Sequence, residues 1–323
     1  MACFVVAKRL GRPAITAVVC AYGIHPQNPL VLSLSKHARG VVIALLSAVA
    51  ACTPAPDPAR PALWEVTAPN GAHAWLFGTI HALPRPATWR SPTLDRALAQ
   101  ADRLVVEVAD LRNDAATART LSELAHTPGE PPLSRRLPEA LRPELARLEG
   151  RAGLTDSATT DLETWAAALV LARATERDSG SDTGLGVDRA LLSEAGKPVV
   201  ELEGARRQLG RFDSLPETAQ RALLAAVVRD AGHEKADAAR LAAAWRNGDV
   251  EAIAHETDRG ILADPTLREA LYTARNREWT GAIAAMLAAR EQPFVAVGAA
   301  HMAGPEGLPA LLAARGYKVV RVQ

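Results

Sequence analysis

Large rings are scarce in this sequence: aromatic residues make up 4% of 323 residues, although 48% are hydrophobic. A core of any size must therefore be assembled from Ala, Leu and Val. Charge of one sign is missing too, with 37 basic residues against 36 acidic ones and a net charge of +1. That balance supplies no clustered basic surface for phosphates and excludes nucleic acid as the expected partner. Cysteine occurs at Cys3, Cys20 and Cys52 only. If the chain is cut before Cys52, the mature fold has no disulfide, no thiolate nucleophile and no cysteine-ligated zinc. There is no HExxH helix, which excludes a zincin, and neither nucleotide-binding glycine pattern is present.

What the sequence does have is a pair of matched elements near the two ends of its folded part. Ala74-Trp75-Leu76-Phe77 is an apolar run that ends in Gly78-Thr79-Ile80-His81, and Phe294-Val295-Ala296-Val297 ends in Gly298-Ala299-Ala300-His301. A single Gly-x-x-His tetrapeptide carries little information, and one histidine at a strand end is as easily structural as functional. Two of them after apolar strands, 220 residues apart (301 minus 81), point to a fold that brings two strand ends together. In an open α/β sheet ligands collect at the carboxyl ends of the strands. The glycine is expected where the backbone must turn sharply.

Two further strands end in carboxylates. Arg103-Leu104-Val105-Val106 leads into Glu107, and Lys197-Pro198-Val199-Val200 leads into Glu201-Leu202-Glu203. A carboxylate at the end of a buried strand must be paired with an arginine or bound to a cation. Between them lie elements of ordinary kind. Asn70-Gly71 marks the turn of a hairpin, Ser91 can cap a helix over 92–100, and periodic segments predict packing helices from about Asp114 to Ala174. Gly186-Val187-Asp188 opens a helix, and helices are expected over 216–231, 236–246, 250–261 and 266–289, the last interrupted by Arg275-Asn276-Arg277. His126, His233 and His255 have no matched partners and read as ordinary surface or core.

In this order, these motifs resemble the TraB/GumN family, which is similar to the Tiki metalloproteases and more distantly to the ChaN and erythromycin-esterase group. The resemblance covers about Ala62 to the C-terminus and rests on Gly78 to His81, Val105-Val106-Glu107, Gly186-Val187-Asp188, the strand end at Glu203, Arg275-Asn276 and Gly298 to His301 with Gly304 and Gly307. It implies an α/β domain over 62–323, with a mixed, largely parallel sheet flanked by helices and a helical insertion between the Glu107 and Glu203 strands. It also implies a divalent-metal hydrolase acting on peptides or small molecules, with His81, His301, Glu107 and Glu203 as ligands and a carboxylate as the proton acceptor. Asn276 would hold a ligand in place, and Arg275 would bind a carboxylate or an oxyanion. Imidazole and carboxylate without thiolate suit manganese, cobalt or zinc. The competing expectations are a metal-free, esterase-like hydrolase with His81 or His301 as general base, and a non-catalytic module for haem or another small molecule.

The N-terminus gives an address. Lys36, His37 and Arg39 precede the apolar run 41–48, and small residues lead to Cys52. This resembles a bacterial lipoprotein signal over 36–51, with Cys52 as the lipidated first residue and 52–61 as a proline-rich tether. The expected place is the periplasmic face of the cell envelope, at the outer membrane, held through the lipid. Residues 1–35 do not fit this scheme and are expected to reflect a start codon placed too early.

Overall fold

A computed structural model describes residues 55–109 and 114–323. The proposed signal and Cys52 lie outside the described residues. The short strands β1 (Asp57–Pro58) and β4 (Ala87–Thr88) form a separate parallel pair. The other six are β2 (Leu63–Thr67), β3 (His73–Thr79), β5 (Arg103–Val106), β6 (Val199–Glu201), β7 (Pro293–Gly298) and β8 (Lys318–Arg321). They form one sheet in the order β6-β5-β7-β3-β2-β8.

The strands β6, β5, β7 and β3 run parallel, each paired with the next. Their carboxyl ends therefore fall along one edge. The hairpin β2–β3 is antiparallel, with Asn70 and Gly71 at its turn; Asn70 Oδ1 accepts from the Ala72 N–H at 3.0 Å, and Gly71 takes φ 82, which favours glycine. The last strand, β8, pairs antiparallel with β2 at the far edge.

Alternation along each strand sorts the side chains to two faces. Trp75, Phe77, Leu104, Val106, Phe294 and Ala296 point to one face, where the helix Pro92–Gln100 and Trp245 of Glu234–Asn247 cover them. Leu76, Val105, Val295 and Val297 point to the other, under Trp279, Ile283 and Leu287 of the helix Ala274–Ala288. Ser91 caps Pro92–Gln100 as expected, its side chain accepting from the Leu94 N–H. A third core, around Trp165, Leu171, Leu209 and Leu223, belongs to the helices inserted after β5 and β6. Both connections are helical, as expected.

Two expectations are adjusted. The proline-rich stretch is not a free tether throughout, because β1 pairs with β4 and Asp57 bonds Arg246 at 3.0 Å. The long helix over 266–289 is broken into Pro265–Arg268, a π-helical turn Glu269–Thr273, and Ala274–Ala288. A π turn widens the helix by one residue and shifts the register of the next turn. That next turn carries Arg275 and Asn276. No helix among the described residues is long and apolar enough to cross a membrane.

Candidate active site

The four parallel strands deliver His81, Glu107, Glu203 and His301 to one edge of the sheet, and Gly298 marks the point of convergence. A Cβ built on Gly298 would lie 3.3 Å from Glu107 Oε1 and 3.8 Å from both His81 Nε2 and His301 Cδ2. Gly78, in the other motif, has a different neighbour: a Cβ there would meet the Ala299 Cα at 2.9 Å. Neither glycine is among those with a positive φ, so neither is required for left-handed backbone. Both serve close approach. Gly78 lets the two Gly-x-x-His loops touch, and Gly298 leaves room among three polar side chains. Trp245 fixes the first loop by donating Nε1–H to the Gly78 carbonyl at 2.9 Å.

His301 is buried between rings, 4.5 Å from Trp279 and stacked on Tyr272 at 5.5 Å between centroids. Its tautomer follows from its neighbours. Asn276 donates Nδ2–H to the Glu306 carbonyl at 2.7 Å, which turns Oδ1 toward His301 Nδ1 at 2.6 Å. Nδ1 therefore carries the proton, and Nε2 accepts from Arg275 Nη1 at 3.3 Å. Burial, with the Arg275 charge added, holds the His301 pKa down to about 3, so the ring is neutral. Asn276, expected to hold a ligand in place, contacts His301 Nδ1 through Oδ1.

Arg275 is the hub. Its guanidinium lies over the Trp279 ring at 4.6 Å. Nε donates to Glu203 at 3.1 Å, and Nη2 reaches Glu107 Oε2 at 2.8 Å and Glu203 Oε2 at 3.0 Å. Nη1 serves the Leu271 carbonyl at 3.1 Å as well as His301. An arginine has five N–H donors; Nε, both of Nη1 and one of Nη2 are in hydrogen bonds, and Nη2 also faces Glu203 Oε2 as an ion pair.

Glu107 accepts from the Gly298 N–H at 2.7 Å through its other oxygen. Burial pushes its pKa up, but Arg275, the two histidines and the Gly298 N–H outweigh burial and hold it at about 2. The strand that carries Glu203 ends at Glu201, two residues sooner than expected. Glu203 itself takes φ −130 and ψ −53, leaves the strand, and precedes the helix Gly204–Asp213. Its side chain, with 0% exposure, is locked between Arg275 and Arg211 Nε at 2.8 Å. Glu201 stays exposed and accepts the Ala109 N–H.

His81 differs from the rest. Nδ1 is 2.9 Å from Asp188 Oδ2, and the ring remains about a quarter exposed. Among the described residues Nε2 has no hydrogen-bond partner. Burial lowers its pKa, yet the Asp188 hydrogen bond and charge outweigh it and raise the value above 6.5. Sequence alone placed Asp188 in a motif without a role. The Gly186-Val187-Asp188 segment reaches His81 because the Val187 N–H donates to the Ile80 carbonyl at 2.9 Å, and because a Cβ on Gly186 would meet the His81 carbonyl at 2.5 Å.

The expected ligand set does not assemble around an ion in this arrangement. Among the described residues no group of three or more His, Cys, Asp or Glu side chains is placed to hold a metal ion. The physical reason is Arg275, whose guanidinium engages three of the four expected ligands. As placed, His81, His301, Glu107 and Glu203 do not fit a four-ligand ion.

A cleft of about 420 Å³ opens beside the site, reaching His301, Arg275 and Tyr272 at its floor and running out past Leu169, Phe212 and Ile253. Pockets of this size take small molecules or a few residues of a chain.

Comparison with known proteins adds the lineage. The TraB/PrgY/gumN family profile matches residues 62–321. Over 255 residues the chain is 29% identical to "Uncharacterized protein YbaP" of Shigella flexneri and, equally, to that of Escherichia coli (strain K12), covering 77% of this chain and 90% of each relative. No solved structure matches.

Proposed function

The chain belongs to the TraB/PrgY/gumN family, and on that footing we propose that it is a hydrolase that directs water at the carbonyl carbon of an amide or ester, with His81 as general base. One observation carries this reading. Of the four strand-end groups, His81 alone keeps its reactive nitrogen free among the described residues, with Asp188 behind it at 2.9 Å. Nε2 takes a proton from water as the oxygen–carbon bond forms, and Asp188 and the Glu107 charge favour the imidazolium. The same proton then passes to the leaving nitrogen or oxygen as its bond to carbon breaks. Arg275, Glu107 and Glu203 hold the scaffold around this pair, and the cleft lined by Tyr272, Arg275 and His301 receives a peptide or small-molecule substrate.

A divalent ion, manganese, cobalt or zinc, is a second reading with its own support. Both imidazoles donate Nδ1–H to an oxygen and turn Nε2 away, as metal-ligating histidines do. It requires Arg275 to release His301. The address completes the proposal: an exported lipoprotein anchored through Cys52, facing the periplasm. Loss of membrane association in Cys52→Ala, with the fold intact, is expected; unchanged fractionation with membranes would remove the anchor.

The test uses chelator-treated, desalted protein incubated with short peptides and aryl esters, with products read by mass spectrometry. Turnover that survives chelation and is lost in His81→Gln supports the base. Turnover that vanishes on chelation and returns with manganese, cobalt or zinc selects the second reading. Folded protein that binds compounds in the cleft and turns over none of them is the non-catalytic module.

A further inference from the structure

We propose that the guanidinium of Arg275 is the resident cation of this site, seated where His301, Glu107 and Glu203 would otherwise hold an ion. Three of the four donors expected to converge on a metal do converge, but on Arg275. His301 Nε2 stands 3.3 Å from Nη1, Glu107 Oε2 stands 2.8 Å from Nη2, and the two Glu203 oxygens lie 3.1 and 3.2 Å from Nε. The set is two carboxylates and one neutral imidazole, which is a first-row divalent ligand set by chemistry. A planar, permanently charged group with five donors serves the same set without an ion.

The surroundings are built for that cation and not for an empty seat. The Trp279 ring lies beneath the guanidinium at 4.6 Å, where a π face attracts a cation. The Leu271 carbonyl accepts from Nη1 at 3.1 Å, inside the π turn Glu269–Thr273 that precedes Arg275. The Glu203 side chain has no exposure, so its charge must be answered from within the protein, and Arg211 at 2.8 Å answers the rest. The consequence is a latent metal site. Removing the arginine side chain leaves two buried carboxylates and an imidazole lone pair around a cavity, and a small cation can enter it. This inference stands whether or not the site turns over a substrate.

The experiment measures thermal midpoints of the full chain and of Arg275→Ala and Arg275→Lys, each after chelation. Each is titrated with manganese or zinc chloride alone and with millimolar guanidinium chloride against sodium chloride of equal ionic strength. The parent midpoint is expected to stay where it is on chelation and in all titrations. Arg275→Ala is expected to fall, then to rise with guanidinium and with the divalent ion, because an ion that binds only the folded state stabilises it by mass action, about a hundredfold in the folding equilibrium at a hundred times Kd. Arg275→Lys retains one charge and is expected to fall less and to respond less. A parent protein that carries a stoichiometric ion and loses stability on chelation overturns the inference. So does a folded Arg275→Ala that responds to neither cation. If Arg275→Ala does not fold even with guanidinium present, the parent and Arg275→Lys decide: a metal-induced rise in the parent, or none in Arg275→Lys, overturns the proposal, and a rise in Arg275→Lys alone upholds it.

Discussion

Acidification should unfold this protein through a single buried ring, His301. Its ordinary value of 6.5 is held down to about 3 by burial and by Arg275, so the native state refuses a proton that the unfolded chain accepts. A depressed folded value means that the stabilisation is fully present above 6.5 and is lost as pH falls toward about 3. Each pH unit in that window is worth about 1.4 kcal/mol, so going from neutral pH to about pH 5 removes roughly 2 kcal/mol. Glu107 does not interfere there, because its stabilisation is lost only as pH falls below 4.5 toward about 2. His81, raised above 6.5, acts at higher pH, where its contribution is lost as pH rises. Glu149 works in the opposite direction within the window: burial raises it from 4.5 to about 7, so protonation there favours the native state. The assay therefore compares urea unfolding of the parent and of His301→Gln at several pH values between 7 and 4.5, where everything but His301 cancels. The parent should lose about 2 kcal/mol more than the variant by about pH 5. Parallel pH profiles would refute the buried neutral ring and the Asn276 contact that assigns its proton.

The end of β6 gives a sharp contrast. Glu203→Gln leaves Arg275 and Arg211 under-compensated in a buried site and should cost about 3–5 kcal/mol in urea unfolding, whereas exposed Glu201→Gln should cost less than about 1 kcal/mol; equal costs would contradict the geometry. Gly298→Ala keeps an ordinary backbone, φ −48, but puts a methyl group 3.3 Å from Glu107 Oε1 and 3.8 Å from His81 Nε2. It should fold normally by circular dichroism and lose turnover, and parental turnover would show that Gly298 does not border the reacting atoms. Asp188→Asn preserves volume but not the charge behind His81, and should lower turnover about 100- to 10,000-fold. A change under about tenfold in kcat/KM would take Asp188 out of the mechanism.

The strand ends were legible because each apolar run stops abruptly at a polar residue, and burial makes such stops conspicuous. Hence His81, Glu107 and His301 could be placed on one sheet edge, and the Asn70-Gly71 hairpin and the Ser91 cap follow local rules that need no tertiary information. The features that were not legible depend on contacts between distant segments. Glu107 and Arg275 are 168 positions apart, and nothing near either residue states that they pair. The π turn at Glu269–Thr273 has no periodic signature, yet it sets the register that aims Arg275 and Asn276. The family resemblance put Glu203 at the end of a strand, but the strand stops at Glu201 and a local break turns Glu203 inward. Asp188 stood in a recognised motif, and only the neighbouring Val187 N–H bond to the Ile80 carbonyl and its own contact with Nδ1 show that it serves His81.

The claim on which the account turns is that His81, backed by Asp188, is the basic group of the site, and nitrogen NMR of the histidine rings tests it without any substrate. With the protein labelled at histidine, the His81 signals should show Nδ1 protonated and Nε2 free in the neutral form, with a titration midpoint above 6.5 that falls in Asp188→Asn. A midpoint at or below 6.5, unmoved by that substitution, or a neutral ring protonated at Nε2, would contradict it.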